Sequence, residues 1–186
     1  MSRLLSPPGV ILLNPKYEHN VGAALRACSA WGVYNLLWTG KRVVFDPETT
    51  KRIPREERMK GYKDVAWVPN CDKPLNLFGD IVPVAIELKQ NSESITTFEH
   101  PPNAVYLFGP EDGSIPQVYS RLCHRFVHIP THHCLNLSAA VNVVLYDRRM
   151  KRQRDGFEQV LPLDEVLHER RGFDTPALEA IGWDGK

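Results

Sequence analysis

The 186-residue sequence lacks the features that mark several large classes of protein. It has no apolar run near the roughly 20 residues that a helix needs to cross a bilayer. The opening residues, MSRLLSPPGV, contain no hydrophobic stretch long enough for a secretory signal. The four cysteines, Cys28, Cys71, Cys123 and Cys134, form no CxxC pair, which suits reduced thiols. We therefore expect a cytoplasmic protein without a membrane span.

Common nucleotide and metal motifs are also missing. The sequence contains neither GxGxxG nor GxxxxGK[ST], the motifs that identify a Rossmann dinucleotide site and a P-loop, so both kinds of nucleotide site are disfavoured. A zinc site is suggested by Cys123, His124, His132, His133 and Cys134, but their spacing fits no common ligand framework. A Cys134 nucleophile activated by His133 is disfavoured because adjacent side chains tend to diverge. We predict no metal.

The net charge is only +1 at pH 7, so the molecule is not a polycation that would bind nucleic acid indiscriminately. Positive charge is nevertheless concentrated in two stretches. Residues 41–63 contain eight Lys or Arg against four acids, and residues 148–154 contain five basic residues and no acid. Such clusters can neutralise phosphates, although a solvated helix face accounts for either cluster equally well. The candidate RNA-binding residues are Lys41, Arg42, Arg55, Arg58, Arg148, Arg149, Lys151 and Arg152.

Short apolar runs alternate with helical patterns, which indicates an α/β fold with a mainly parallel sheet and helices on both faces. Because Pro83 has no backbone N–H, we expect the fourth strand to be irregular or near an edge. After Arg154 the sequence becomes polar, so we divide it into a compact domain, residues 1–155, and an extension, residues 156–186. The predicted strands are Val10 to Leu13, Val33 to Trp38, Val65 to Val68, Ile81 to Ile86, Ala104 to Phe108 and Arg125 to Ile129.

The first candidate site lies in Asn14 to Gly32, NPKYEHNVGAALRACSAWG. Asn20 suits the N-cap of a helix that Gly32 would end. Gly22 lies one turn before Arg26 and leaves that side chain a path toward the helix start, where free N–H groups and the helix dipole favour phosphate. Asn20 and Arg26 can thus hold one nucleotide between them. An ordinary capping Asn and a surface Arg paired with an acid remain the structural alternative.

Two later stretches place polar groups at predicted strand ends. In LFGPEDGSIP, the strand that ends at Phe108 runs into a Gly109-Pro110-Glu111 turn, and open α/β sheets bind ligands at such carboxyl ends. In IPTHHCLNLSAAVNVVLYD, a loop leads to Asn136 and then to a helical pattern. Ser138 is either a helix cap or a pocket residue.

In order and separation, the three stretches resemble the signature motifs of the SpoU/TrmH branch of the SPOUT methyltransferases. Asn20 and Arg26 fall on the family's NxGxxxR pattern, and the resemblance extends from about Val10 to about Arg154. Gly113-Ser114-Ile115 replaces the more usual arginine-glycine-leucine, and Cys134 stands where the family often has serine. The resemblance implies a C-terminal trefoil knot. It implies catalytic roles for Arg26, Asn20, Glu111 and Asn136, and S-adenosylmethionine contacts for Ile86, Glu87, Gly109, Ile129 and Leu135.

The function implied by this resemblance is methyl transfer from S-adenosylmethionine to RNA, on a ribose 2′-hydroxyl of tRNA or rRNA, by a homodimer. A guanidinium is effectively always protonated, so we expect Arg26 to bind phosphate and stabilise the developing alkoxide, not to act as a base. No RNA-binding domain precedes Val10, so we expect the dimer and its tail to recognise the substrate, which favours tRNA. The alternative is a knotted RNA-binding module without methyl-transfer activity.

Overall fold

The computed structural model describes residues 4–44, 64–162 and 165. Within these residues lies a seven-stranded sheet in the order β3-β2-β1-β6-β4-β7-β5, and every pairing is parallel. The predicted α/β class and parallel sheet are therefore confirmed. The strands are β1 Gly9–Leu12, β2 Asn35–Trp38, β3 Ala66–Val68, β4 Val82–Ile86, β5 Glu93–Ser94, β6 Ala104–Phe108 and β7 Arg125–His128.

The helices cover the two faces of the sheet unequally. Helices α1, Glu18–Ala30, and α3, Leu137–Arg154, pack on one face against strand residues such as Tyr106. The four-residue helix α2, Gln117–Ser120, and a short 3-10 helix, Pro74–Leu77, belong to the part of the chain near the opposite face. Within the described residues, the two long helices share one face, and only these short helices lie at the other. None of the described helices is long and apolar enough to span a bilayer.

The carboxyl end of α1 is set by its local sequence, whereas its start differs from the prediction. At its carboxyl end Gly32 adopts φ +70°, and the N–H of Val33 donates to the carbonyl of Cys28 at 2.9 Å. This is the Schellman arrangement that glycine favours, which confirms the predicted end of the helix. The predicted start is wrong, because Tyr17 is the N-cap and Asn20 is the third residue of the helix. The Asn20 side chain is drawn away from the helix end by partners on other loops, described below.

Pro83 lies in a regular central strand, contrary to the prediction of an irregular or edge position. β4 is flanked by β6 on one side and β7 on the other, and Pro83 is in register with Val105 of β6. The β7 ladder begins only at Val84, one residue after the proline. The N–H of Val82 points to the β6 side, where it donates to the Asn103 carbonyl at 3.0 Å. Successive N–H groups of a strand point to opposite sides, so an N–H at position 83 would point to the β7 side, at a level where β7 has not yet begun to pair. No sheet hydrogen bond is lost.

The chain divides into two compact units, Met1–Lys151 and Arg152–Lys186. The first contains the sheet. In the second, Arg152 Nε donates to Glu158 Oε1 at 2.6 Å, and its guanidinium lies 5.4 Å from the ring centre of Phe157. The boundary after residue 155 stays a prediction.

Candidate active site

The three candidate stretches meet at the carboxyl edge of the sheet. The loops after β4, β6 and β7 and the first turns of α1 and α3 enclose a cavity of about 500 Å³, within the range of cofactor sites. Each of these strands is parallel to its neighbours, so their carboxyl ends lie together. Eight of the nine residues predicted for catalysis or cofactor binding line this cavity: Asn20, Ile86, Glu87, Gly109, Glu111, Ile129, Leu135 and Asn136.

A chain of hydrogen bonds connects the three stretches. Asn20, only 1% exposed, donates from Nδ2 to Glu111 Oε1 at 2.6 Å. Its Oδ1 accepts from Asn136 Nδ2 at 2.8 Å. Since a carboxylate oxygen accepts, Glu111 fixes which end of the Asn20 amide faces it. Asn20 is therefore held from both sides by residues of the other two stretches.

Asn136 also forms the N-cap of α3. Its Oδ1 accepts from the Ser138 backbone N–H at 2.9 Å and from the Ser138 hydroxyl at 2.7 Å. The side-chain oxygen of Asn136 thus caps the helix, and its Nδ2 is left to donate to Asn20. Ser138 is neither the cap nor a residue of the cavity lining; its hydroxyl supports the cap.

Glu111 ties the loop after β1 to the loop after β6. Its second oxygen, Oε2, accepts from the backbone N–H of Lys16 at 2.8 Å, while Oε1 holds Asn20. With both oxygens engaged, the carboxylate has a fixed orientation at the rim of the cavity. Its lone pairs exceed these two contacts, so it can accept a further hydrogen bond.

Glu87 holds the loop that departs from the family pattern. Its Oε2 accepts from the backbone N–H of Ile115 at 2.8 Å. A Cβ at Gly109 would lie 3.2 Å from Ile115 N and 3.3 Å from the carbonyl carbon of Ser114. The loop is thus folded against a glycine and held by the carboxylate of Glu87, the residue directly after β4. The family resemblance implied a cofactor contact for Glu87 but did not indicate this contact with the loop.

Several cavity residues carried no signal in the sequence, and His128 is the clearest. The Ser92 hydroxyl has one proton, which it donates to the Lys89 carbonyl at 2.7 Å. The Ser92 Oγ therefore accepts from His128 Nδ1 at 3.0 Å, and a neutral His128 keeps Nε2 as an acceptor. Tyr17, His19 and Leu88 also line the cavity. Only their place beside a strand end or helix start makes them neighbours of the site.

Arg26 is the predicted catalytic residue that does not line the cavity. It is exposed on α1, six residues after Asn20, a separation of about 9 Å along a helix. The single chain therefore brings Asn20, Glu111 and Asn136 together but leaves Arg26 outside their cavity.

The predicted RNA-binding residues have different surroundings. Lys41 is exposed and Arg149 is half-buried, whereas Arg55 and Arg58 lie outside the described residues. Arg148 is only 4% exposed, and Lys151 donates to the carbonyl of Phe98 at 3.1 Å and contacts Asp147 at 2.7 Å. Arg148 and Lys151 pack α3 onto the body of the domain in the free chain, and their contact with RNA stays a prediction. The remaining predicted residues, Arg42 and Arg152, each have a carboxylate partner.

Comparisons with known proteins agree with this geometry. Residues 8–146 match the model of the SpoU rRNA Methylase family. The tRNA (cytidine-2′-O-)-methyltransferase TrmJ of Methanocaldococcus jannaschii is 28% identical over 163 residues, which cover 80% of this chain and 70% of that protein.

Two solved structures share the fold. The TrmH/SpoU tRNA modifying enzyme of A. aeolicus has a TM-score of 0.67 at 22% identity, covering 89% of this chain and 86% of that chain. The SpoU methyltransferase AviRb of Streptomyces viridochromogenes, in complex with AdoMet, has a TM-score of 0.65 at 18% identity. That match covers 82% of this chain and 63% of AviRb, so the chain spans less than two thirds of AviRb.

Proposed function

The chain belongs to the SpoU rRNA methylase family, and we propose that it is an S-adenosylmethionine-dependent tRNA ribose 2′-O-methyltransferase that works as a homodimer. The observation that carries this proposal is the hydrogen-bonded chain from Asn136 through Asn20 to Glu111. It brings the three family motifs to one cavity and leaves a carboxylate at the rim. The retained set of polar groups argues against a binding module without methyl transfer.

The cavity fits a cationic cofactor. Two carboxylates, Glu87 and Glu111, belong to its lining, and no Lys or Arg is among the described lining residues. Negative and apolar surroundings suit a sulfonium ion, and AviRb was crystallised with AdoMet. When bound, the cofactor supplies an electrophilic methyl group. The residues that would hold it are Ile86, Glu87, Gly109, Ile129 and Leu135, the last two on either side of the exposed Cys134 loop.

The residues of the chain would supply orientation and charge control. Positioning of reacting groups can contribute roughly 7 to 11 kcal/mol. The buried Asn20 amide and the Glu111 carboxylate would orient the nucleotide at the rim. The Arg26 guanidinium would bind the adjacent phosphate and stabilise negative charge on the 2′-oxygen as its proton leaves.

A homodimer would account for the position of Arg26 outside the cavity of its own chain. Helix α3 carries an exposed apolar surface in which Tyr146 is 50% and Val143 is 36% exposed. Trp31 contacts the same surface, with its ring centre 5.3 Å from that of Tyr146 and its Nε1 2.5 Å from Asn142 Oδ1. Two copies packed through this surface would cover it. We propose that this packing brings Arg26 of one protomer to the cavity of the other.

The finer features of the proposal rest on the relatives. TrmJ and the A. aeolicus enzyme are both described as acting on tRNA, which favours tRNA over rRNA. The family likeness supports a trefoil knot in the segment from β7 to α3. The phosphate-binding residues would be Lys41, Arg42, Arg149 and Arg152, together with Arg55 and Arg58. The four cysteines without CxxC pairing support a cytoplasmic location.

One experiment tests both the reaction and the substrate. The protein is incubated with labelled S-adenosylmethionine and separated tRNA and rRNA, and the modified nucleotide is located by mass spectrometry. We expect label on a ribose 2′-oxygen in tRNA. Label on a base would overturn the ribose assignment, and RNA binding without any label would support the binding-module alternative.

A further inference from the structure

Three charged side chains form a cluster beside Glu111, which we call the rim cluster: Lys16, Arg42 and Asp112. Arg42 Nη1 contacts both oxygens of Asp112, at 3.1 and 3.0 Å. Lys16 Nζ lies 3.5 Å from Asp112 Oδ2. Two cations therefore share one carboxylate at the surface.

The rim cluster is built from loops that also build the site. Arg42, after β2, donates from Nε to the carbonyl of Asn14 at 3.1 Å, which fixes it to the loop after β1. Lys16 lies on that same loop, and its backbone N–H donates to Glu111 at 2.8 Å. Asp112 is the residue next to Glu111. The two cations are thus positioned by the same loops that position the carboxylate of the cavity rim.

The charges of the rim cluster do not cancel. The cluster carries one net positive charge when all three groups are ionised, and the hydrogen bonds from Arg42 lower the pKa of Asp112. The side chains of Lys16, Arg42 and Asp112 are 43%, 31% and 46% exposed. Exposed ion pairs are weak because solvent screens them, so an incoming anion can replace Asp112 at little cost. Arg42 holds the Asn14 carbonyl with Nε and Nη2, which leaves Nη1 to bind Asp112 or, in its place, a phosphate oxygen through a charge-assisted hydrogen bond.

We propose that Lys16 and Arg42 form a binding site for a phosphate of the RNA backbone, which Asp112 occupies in the free protein and leaves when RNA binds. This inference rests on the proposed RNA methyltransferase function. Asp112 then acts as an internal competitor that weakens binding to arbitrary RNA. A substrate that makes further contacts with the site offsets the cost of displacing Asp112, and its phosphate is held beside the nucleotide that reaches Glu111.

The test compares two substitutions that remove the same charge. Asp112→Asn removes the competitor. Glu93→Gln removes the carboxylate of another exposed ion pair, which joins Glu93 on β5 to Arg125 on β7. Binding of tRNA and of an unrelated single-stranded RNA is measured by fluorescence anisotropy between about 50 and 200 mM salt. We expect Asp112→Asn to bind both RNAs several-fold more tightly than Glu93→Gln, with a log–log salt slope steeper by about one. The gain should be larger for the unrelated RNA.

Further variants distinguish a failure of the Asp112 proposal from a failure of the proposed methyltransferase function. Lys16→Gln should weaken tRNA binding, and Arg42→Gln combined with Asp112→Asn should lose the gain seen with Asp112→Asn alone. Cofactor affinity, measured by calorimetry, should stay unchanged in all of them. If Asp112→Asn matches Glu93→Gln, or binds RNA more weakly than the native protein, the internal competitor is excluded while methylation of tRNA stands. If the native protein neither binds nor methylates RNA, the proposed function fails instead.

Discussion

The side-chain amide of Asn20 donates a 2.6 Å hydrogen bond to Glu111, a residue 91 positions later in the chain. This contact explains why an asparagine inside the first turn of α1 is buried. Its orientation is determined by the loop after β6 and by Asn136, and not by the helix that carries it. The site therefore depends on tertiary contacts between the three motifs.

Replacement of Asn20 by Ala should remove the hydrogen bonds that join the first motif to Glu111 and to Asn136. The change leaves Glu111 Oε1 and Asn136 Nδ2 without this partner, and a buried polar group left unsatisfied costs about 1–3 kcal/mol. We expect a loss of unfolding free energy in that range, measured by urea denaturation, and a loss of methylation. The control is Asn103→Ala, since the Asn103 amide makes an exposed 3.3 Å contact with the Asp80 carbonyl. Equal stability losses in both variants would contradict the role given to Asn20.

Replacement of Arg26 by Ala should abolish methylation and preserve cofactor binding. Arg26 does not line the cavity of its own chain, so the cofactor residues stay intact. Loss of an electrostatic group of this kind typically lowers kcat by about 100-fold or more. Turnover with tRNA and cofactor binding by calorimetry are measured together. Full activity in this variant would remove Arg26 from the mechanism.

Mixed dimers test where Arg26 acts. If it serves the cavity of the other protomer, then Arg26→Ala and Glu111→Gln chains, each inactive alone, should form one complete site when paired. Co-refolding equal amounts should restore about a quarter of the native activity, since half of the dimers are mixed and each has one working site. No recovery, or a monomer by light scattering at micromolar concentration, speaks against the dimeric site.

Gly109→Ala should weaken binding of S-adenosylmethionine. The new Cβ would lie 3.2 Å from a backbone nitrogen of the loop that Glu87 fastens. Overpacking of this kind costs about 1–3 kcal/mol. If the loop relieves it by shifting and must return to its native position to hold the cofactor, the affinity falls by about one order of magnitude or more. Gly113→Ala is a matched control in the same loop, because its Cβ meets only Pro110 Cγ at 3.5 Å. Calorimetry should separate the two variants, and equal affinities would refute the argument.

Stability should decrease on mild acidification because of His100. Its Nε2 lies 2.8 Å from Asp147 and its Nδ1 lies 2.7 Å from the Tyr106 hydroxyl. Burial lowers the His100 pKa, with Lys151 and Arg148 acting in the same direction and Asp147 opposing. The unfolded chain therefore binds the proton at higher pH than the folded chain does, so stability falls as the pH drops below about 6.5.

Urea denaturation at several pH values measures this effect. His100→Gln should be less stable than the native protein at neutral pH and should show a smaller decrease on acidification. The exposed His124, His132 and His133 offer control positions. A native protein whose stability is unchanged from about pH 7.5 to 5.5 would contradict the assignment.

The sequence predicted the parallel sheet because its strands depend on local patterns, and it predicted polar residues at the carboxyl ends of those strands. The buried strands β1 and β6 are continuous apolar runs, and the polar residues that follow them must share one edge of a parallel sheet. The two-residue strand β5, Glu93–Ser94, was missed because it has no apolar pattern and is defined by its pairing with β7.

Polar side chains were harder to place than strands. Five of the seven residues from Arg148 to Arg154 are basic, yet Arg148 is buried and Lys151 contacts loop carbonyls. Helical phase distinguishes faces, but only the neighbouring sheet and loop decide which cations are enclosed. Likewise, the sequence could identify Asn20 and Asn136 but could not show that they contact each other, since 116 positions separate them.

The hydrogen bonds around Asn20 all run in one direction. The first N–H groups of α3 donate to Asn136, Asn136 donates to Asn20, and Asn20 donates to Glu111. The free N–H groups at a helix start carry partial positive charge, and aligned donors polarise one another. The positive end of α3 is thereby extended through two side-chain amides to a carboxylate on a different loop. Helix α3 thus acts as a remote positive partner for Glu111. If the oxygen and nitrogen of either side-chain amide changed places, donors would no longer be aligned from the helix start to the carboxylate.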